Sequence, residues 1–289
     1  YNYFVEEEYV TPGAVEPVAT ILLTNRECPW RCVMCDLWQN TLTEPVPVGA
    51  IPAQIDFALG HLPLAAHVKL YNAGSFFDRK AIPGEDHDAI TRSVASMKRV
   101  VVESHPSLVG EDCLRFRDRL AGELEVAMGL ETAEPTVLEK LNKGMTVDQF
   151  SDAASFLARN AIGLRVFVMV QPPFMPLAES LFWAKRSIDL AFESSAGVVS
   201  LIPTRDGNGA MEALRTAGQY ARPALSLLEA SLEYGLDLKQ GIVTADLWDI
   251  ERLRRCDECF VTRVERLRVM NLTQKITARI ACTHCEGAN

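Results

Sequence analysis

Val18-Ala19-Thr20-Ile21-Leu22-Leu23-Thr24 is followed, after three more residues, by Cys28-Pro29-Trp30-Arg31-Cys32-Val33-Met34-Cys35. The first run is apolar and β-branched and predicts a buried strand. The second places three cysteines in eight residues, spaced C-x3-C-x2-C, on the loop that leaves that strand. Three thiolates can hold three irons of a [4Fe–4S] cluster and leave the fourth iron without a protein ligand. An open coordination position marks a metal that does chemistry, as it does in catalytic zinc sites. A zinc site or a disulfide cluster fits less well, because three cysteines cannot pair off and zinc favours four ligands.

Outward from this loop the pattern repeats. Pro45, Pro47, Gly49 and Pro52 mark a long connection. Short apolar strands are then expected at 67–71, 99–103, 124–128, 164–170 and 198–202. They alternate with helical sequence at 53–59, 88–97, 111–120, 136–141, 147–160 and 178–192, with Thr146 as an N-cap. Such alternation predicts a parallel sheet with right-handed crossovers, buried on both faces. Pattern alone leaves an open sheet and a partial barrel both standing. A further helix is expected at 224–234 and a short strand near Ile242-Val243. Residues 1–17 read as a leading arm, with Glu6-Glu7-Glu8 as a solvated acidic run.

The bulk properties narrow the class. The 289 residues are 48% hydrophobic and 23% charged, ordinary for a soluble globular chain. No apolar run approaches membrane-spanning length. The chain begins at Tyr1, so its natural start is expected upstream. A net charge of −9 is poorly matched to a polyanion, which weighs against nucleic acid and towards a small-molecule or peptide substrate. Seven of the eight cysteines fall at metal-ligand spacing, which points to a reducing, cytoplasmic setting; Cys113 is left over as a small buried hydrophobe.

Ligands in parallel α/β folds bind at the carboxyl ends of strands. After the second strand stand Asn72, Gly74 and Ser75, a turn whose glycine lets backbone approach a ligand. After the third, Glu103 ends a valine run in Glu103-Ser104-His105-Pro106 and must face something polar. After the fourth come Gly129-Leu130-Glu131-Thr132 and then Leu138-Glu139-Lys140-Leu141-Asn142-Lys143-Gly144-Met145-Thr146. Arg205 and Asp206 follow the sixth, as ligand contacts or as a local pair.

The cysteine spacing resembles that of the radical S-adenosylmethionine (radical SAM) superfamily. The Gly-Leu-Glu-Thr segment and the Lys143 stretch resemble its branch of elongator catalytic subunits, methylthiotransferases and coproporphyrinogen dehydrogenases. Met34 stands where an aromatic residue is common. The resemblance implies a partial (βα)6 TIM-type barrel within the α/β class. It also implies a [4Fe–4S] cluster on Cys28, Cys32 and Cys35 that cleaves S-adenosylmethionine to a 5′-deoxyadenosyl radical. Asn72, Gly74, Ser75, Glu103, Glu131 and Lys143 are then the expected cofactor contacts, and a flavodoxin or ferredoxin the expected reductant. A tRNA-modifying enzyme and a non-catalytic metal-binding adaptor are the alternatives.

Near the end, Cys256-Asp257-Glu258-Cys259 and Cys282-Thr283-His284-Cys285 form two C-x2-C knuckles. Four thiolates would close a structural zinc site; an auxiliary [4Fe–4S] cluster is the other reading, and paired knuckles favour zinc. Arg263, Arg266 and Arg268 between them alternate with Val264, Leu267 and Val269 as a ribbon strand might. The expected organisation is a barrel with its arm over 1–245 and a small cysteine-rich metal module over 246–289.

Overall fold

Asn2–Thr11 (β1) and Ala14–Leu23 (β2) form an antiparallel hairpin that turns at Gly13, whose φ of +84° suits glycine. The structure, a computed structural model, describes residues 2–286. From β2 onward every neighbour is parallel: His67–Asn72 (β3), Arg99–Glu103 (β4), Glu123–Glu131 (β5), Gly163–Val170 (β6), Val198–Pro203 (β7) and Ile242–Ala245 (β8). The spatial order is the sequence order, so the eight strands curl into a nearly closed barrel. Helices Ala50–His61 (α1), His87–Ser93 (α2), Glu111–Arg117 (α3), Pro135–Lys140 (α4), Val147–Arg159 (α5), Ser180–Glu193 (α6), Ala210–Thr216 (α7) and Leu225–Leu238 (α8) lie between the strands. The Thr146 cap is realised as a full capping box with Gln149, an arrangement that contributes about 1 kcal/mol.

The period-2 alternation of each strand sorts its side chains. Ile21, Leu70, Val102, Val126, Val168 and Leu201 face outward and pack with Ile55, Phe116, Phe150, Ile188 and Leu232 from the helices. Fully buried Cys113 belongs to the same core. The opposite face is polar. Lys69 reaches Glu6 at 2.6 Å and also Glu8, and Arg165 reaches Glu125 at 2.7 Å. The acidic run is therefore not a solvated arm. Residues 2–11 are a strand whose even positions turn Glu6 and Glu8 onto buried cations. Burial opposes ionisation of Glu8, but Arg165 and Lys69 overcome it and hold its carboxyl at about 2.

The seam between β1 and β8 is closed by a helix. Phe260–Thr273 (α9) packs on both strands. Its Asn271 and Gln274, just past its end, use their side-chain amides to satisfy the free backbone groups of Ala245 and Val243 at 2.8–2.9 Å. Two amide side chains thus stand in for the missing next strand, which otherwise would be an exposed edge. The ribbon strand expected around Arg266 is corrected by this helix. Phe260, Val264, Leu267 and Met270 follow helical spacing and join the main core, and a short alternation inside them mimics period 2.

Candidate active site

The cysteine loop leaves the carboxyl end of β2 and is fastened from three directions. Val33 donates its N–H to the Leu141 carbonyl at 2.9 Å. The Asn142 amide donates to the Arg31 carbonyl at 2.9 Å. The Asn208 amide donates to the carbonyls of Val33 at 2.8 Å and Cys35 at 3.1 Å. Met34, in place of the aromatic residue, packs with Val137, Leu141, Met169 and Met175. Trp30 stacks on His105 with ring centroids 3.7 Å apart and planes 11° from parallel. Its indole also lies over Gly144, where an added Cβ would come within 2.7 Å of Trp30 Cδ1.

His105 is a structural residue in this arrangement. Its Nε2 lies 3.0 Å from the Lys143 carbonyl and so carries the proton, while Nδ1 accepts from Ser107 at 2.7 Å. Burial holds its pKa down at about 4, so the ring stays neutral and keeps this tautomer. The cysteine loop, the end of β4 and the loop after α4 are thereby locked together.

Three thiols sit on this frame. Burial raises all three pKa values, Cys32 to about 11. Nearby backbone N–H groups pull two of these values back down, that of Trp30 at Cys28 and those of Leu37 and Trp38 at Cys35. Lys143 is the cation that faces all three. A buried cation opposite three thiols suits their conversion to thiolates on metal binding.

Lys143 Nζ lies 2.6 Å from Glu131 Oε1. Two local devices make the pair possible. The β5–β6 register shifts between Gly129 and Glu131, and Glu131 takes a left-handed φ of +64°, so a bulge re-aims its side chain. The pair then lies across Gly129, where a Cβ would stand 2.2 Å from Glu131 Oε1 and 2.6 Å from Lys143 Nζ.

The remaining strand ends converge on the same place. Gly74 brings its backbone against Cys28, within 3.4 Å of that Cβ for any side chain added there. Asn72 is buried, and both its side-chain Oδ1 and Nδ2 lack a partner among the described residues. An amide left unpaired beside Cys28 is a donor and an acceptor waiting for a ligand. Glu103 accepts the Asn72 backbone N–H at 2.9 Å. Burial pushes its carboxyl up to about 8, against the opposing pull of that N–H and of Lys143, so at neutral pH it keeps its proton.

Of the residues expected from the sequence, the fold thus brings together Cys28, Cys32, Cys35, Asn72, Gly74, Glu103, Glu131 and Lys143. Ser75 is adjacent, but its hydroxyl is engaged by Ser104 at 3.1 Å and by the His105 N–H at 3.3 Å. Arg205 pairs with Asp246, and Asp206 with Arg215 and Arg222. Sequence reasoning missed Trp30, Asn142 and Asn208. The aromatic inside the cysteine motif and the asparagine between two glycines were the available signals.

The Glu103 proton yields a prediction. A carboxyl at about 8 in the folded chain and near 4.5 when unfolded binds its proton more tightly in the folded state. Stability is therefore lost as pH rises between those values. Glu103→Gln keeps an acceptor for Asn72 and cannot ionise. Thermal melts of the metal-free protein should show the variant gaining on the parent from about pH 5 to about pH 8. A pH-independent gap would contradict a protonated Glu103.

Comparison with known proteins decides the fold family. No family model matches the chain. In sequence it is 26% identical to archaeosine synthase subunit beta of Methanosarcina acetivorans, over 95% of this chain and 84% of that protein. It is 25% identical to the protein MJ0550 of Methanocaldococcus jannaschii, over 93% of this chain and 80% of that one. In structure it is similar to SuiB of Streptococcus suis, solved with S-adenosylmethionine and with its precursor peptide (TM-score 0.56 with the peptide, 13% identity, 78% of this chain and 48% of SuiB). The radical S-adenosylmethionine methyltransferase TsrM of Kitasatospora setae matches at TM-score 0.50 and 16% identity, over 72% of this chain. The fold is that of the radical SAM enzymes. The chain spans 40% of TsrM, and it matches Elp3 of Methanocaldococcus infernus at TM-score 0.56 with 88% of this chain and 62% of that one covered. The four C-terminal cysteines form a group that could hold a metal, and among the described residues no helix is long and apolar enough to cross a membrane.

Proposed function

We propose that this chain is a radical SAM enzyme and one subunit of a nucleoside-modifying assembly. The observation that carries the chemistry is the convergence of three unbridged thiols, the Lys143–Glu131 pair and the unpartnered Asn72 amide at the carboxyl ends of β2 to β5. Cys28, Cys32 and Cys35 would hold three irons of a [4Fe–4S] cluster. Asn72, Glu103, Glu131, Lys143 and the backbone at Gly74 would hold S-adenosylmethionine. When bound, the cluster supplies the electron that cleaves S-adenosylmethionine to methionine and a 5′-deoxyadenosyl radical. The chain's own part is positional. Lys143 meets a carboxylate, Glu103 offers its retained proton, and Trp30 with His105 fixes the loop that carries the thiols. The Gly129–Thr132 and Leu138–Thr146 segments support the branch that includes elongator catalytic subunits.

The substrate class comes from the relatives. Archaeosine is a nucleoside, and the name of the Methanosarcina relative makes that protein one subunit of its synthase. This moves the reading away from a free small molecule or a peptide. Most of the arginines that would form a basic face are already paired: Arg263 with Glu229, and Arg266 and Arg279 with Glu233, each at 2.6 Å, while exposed Arg268 lies 3.6 Å from Glu265. With a net charge of −9, contact with any polynucleotide is left to the partner subunit. A cleft of about 360 Å³ beside Cys28 is lined by Arg26, Arg31 and Lys80 but also by Asp78 and by Glu27, which pairs with Arg31 at 2.9 Å. Its access to Cys28 rather than its charge makes it the place where a flavodoxin or ferredoxin would dock.

Anaerobic reconstitution tests the reading. With iron, sulfide, dithionite and S-adenosylmethionine the protein should release 5′-deoxyadenosine and methionine. A reconstituted four-iron protein that releases neither would leave only a metal-binding adaptor.

A further inference from the structure

The C-terminal cysteines lie outside the site described above and are held differently. Cys256 and Cys259 precede and cap α9, and Cys282 precedes the short helix Thr283–Glu286 (α10), within which Cys285 lies. The knuckles face each other in register. Cys256 Sγ lies 3.8 Å from Cys282 Sγ, and Cys259 Sγ lies 3.6 Å from Cys285 Sγ. All four sulfurs fall within 4.8 Å of one another, and none is in a disulfide.

These separations fit one tetrahedral ion and not a four-iron cluster. A Zn–S bond of about 2.3 Å puts two thiolates of a tetrahedron about 3.8 Å apart. An iron–sulfur cubane binds each thiolate to a different iron and spreads the four sulfurs around the whole cluster, so it does not fit sulfurs nearly in contact. We propose that Cys256, Cys259, Cys282 and Cys285 bind one Zn2+ in a closed, non-catalytic site that pins the C-terminal tail and α9 across the barrel seam.

The surroundings agree with a structural role. Between the knuckles the tail 274–281 has no buried residue. It is held on its way back by Arg266, which is 5% exposed and donates to the carbonyls of Thr277 at 2.7 Å and Ala278 at 2.9 Å. The sulfurs have outer partners of the kind that orient metal ligands. Cys256 receives the N–H groups of Glu258 and Cys259, and the Arg263 guanidinium faces Cys259 while paired to Glu229. With four thiolates no position stays open for substrate. The ion's effect passes instead through α9, whose Asn271 and the following Gln274 cover the free edge of β8.

Metal analysis of the full-length protein, before and after iron reconstitution, tests this directly. About one zinc per chain is expected in both preparations, with iron added only at the N-terminal site. Cobalt substitution should give the visible spectrum of a tetrahedral thiolate centre. Cys282→Ser should lose zinc to near background yet still take up its N-terminal iron. Hydrogen exchange at the Val243 and Ala245 amides should quicken several-fold in that variant. Zinc absent, with a second cluster's iron or a single iron in its place, overturns the proposal. So does a Cys256–Cys282 disulfide in freshly purified protein. Because the parent protein alone answers the metal question, a Cys282→Ser chain that fails to fold does not rescue a zinc-free result.

Discussion

Cys32→Ala should give a folded protein that binds no N-terminal cluster. Reconstituted iron should fall from about four per chain to near zero, and the brown colour with it. Two thiolates cannot hold a cubane against loss to solvent. The loop does not depend on the Cys32 thiol for shape. Trp30 on His105, Asn142 on Arg31 and Asn208 on Val33 and Cys35 fasten it through rings and backbone carbonyls. The melting temperature of the metal-free variant should therefore stay within the range of an ordinary loop substitution, about 1 kcal/mol. Release of 5′-deoxyadenosine from S-adenosylmethionine should vanish while the C-terminal metal remains. Iron retained at the parent level would mean that the cluster is held elsewhere, and the reading of the cysteine loop would fail.

Much of this site was legible before any coordinates, for a physical reason. A parallel α/β fold puts every strand end on one rim, so the polar residues just past apolar runs collect there whatever the details of the sheet. Asn72, Glu103 and Glu131 stand at strand ends and were singled out by that rule, whereas Lys143, beyond α4, was singled out by the resemblance of its segment. What the rule cannot supply is contact between strand ends. The Trp30–His105 stack needs two loops far apart in sequence, and neither residue is unusual alone. The bulge that turns Glu131 inward is a register shift, invisible in composition. β1 was hidden because its alternation reads Phe4, Glu6, Glu8 on one face, and acidic residues are normally solvated. They are not here because Lys69 and Arg165 wait on other strands. At α9 a local alternation over 264–269 competed with a helical pattern that only a longer window reveals. In each case a long-range partner overrode the local signal.

The buried ion pair over Gly129 provides the second large effect. Lys143→Met should destabilise the metal-free protein by about 3–5 kcal/mol, since it leaves the Glu131 carboxylate buried without a counter-charge. The same variant should lose affinity for S-adenosylmethionine, because the cation proposed to meet its carboxylate is gone. The two losses have different origins and can be separated. Glu131→Gln combined with Lys143→Met removes the stranded charge and keeps the shape, so stability should largely return. Affinity should not return, because the double variant still offers no cation. Calorimetric titration of S-adenosylmethionine into the cluster-loaded variants reads the second effect, and melts of the metal-free proteins read the first. If the double variant recovered both, Lys143 would be a partner for Glu131 and nothing more. If stability stayed low while Glu131→Gln alone was mild, the cost of Lys143→Met would lie in packing across Gly129 rather than in charge. The expected outcome, stability restored and affinity still lost, assigns Lys143 to the ligand and makes Glu131 the group that holds it in place until the ligand arrives.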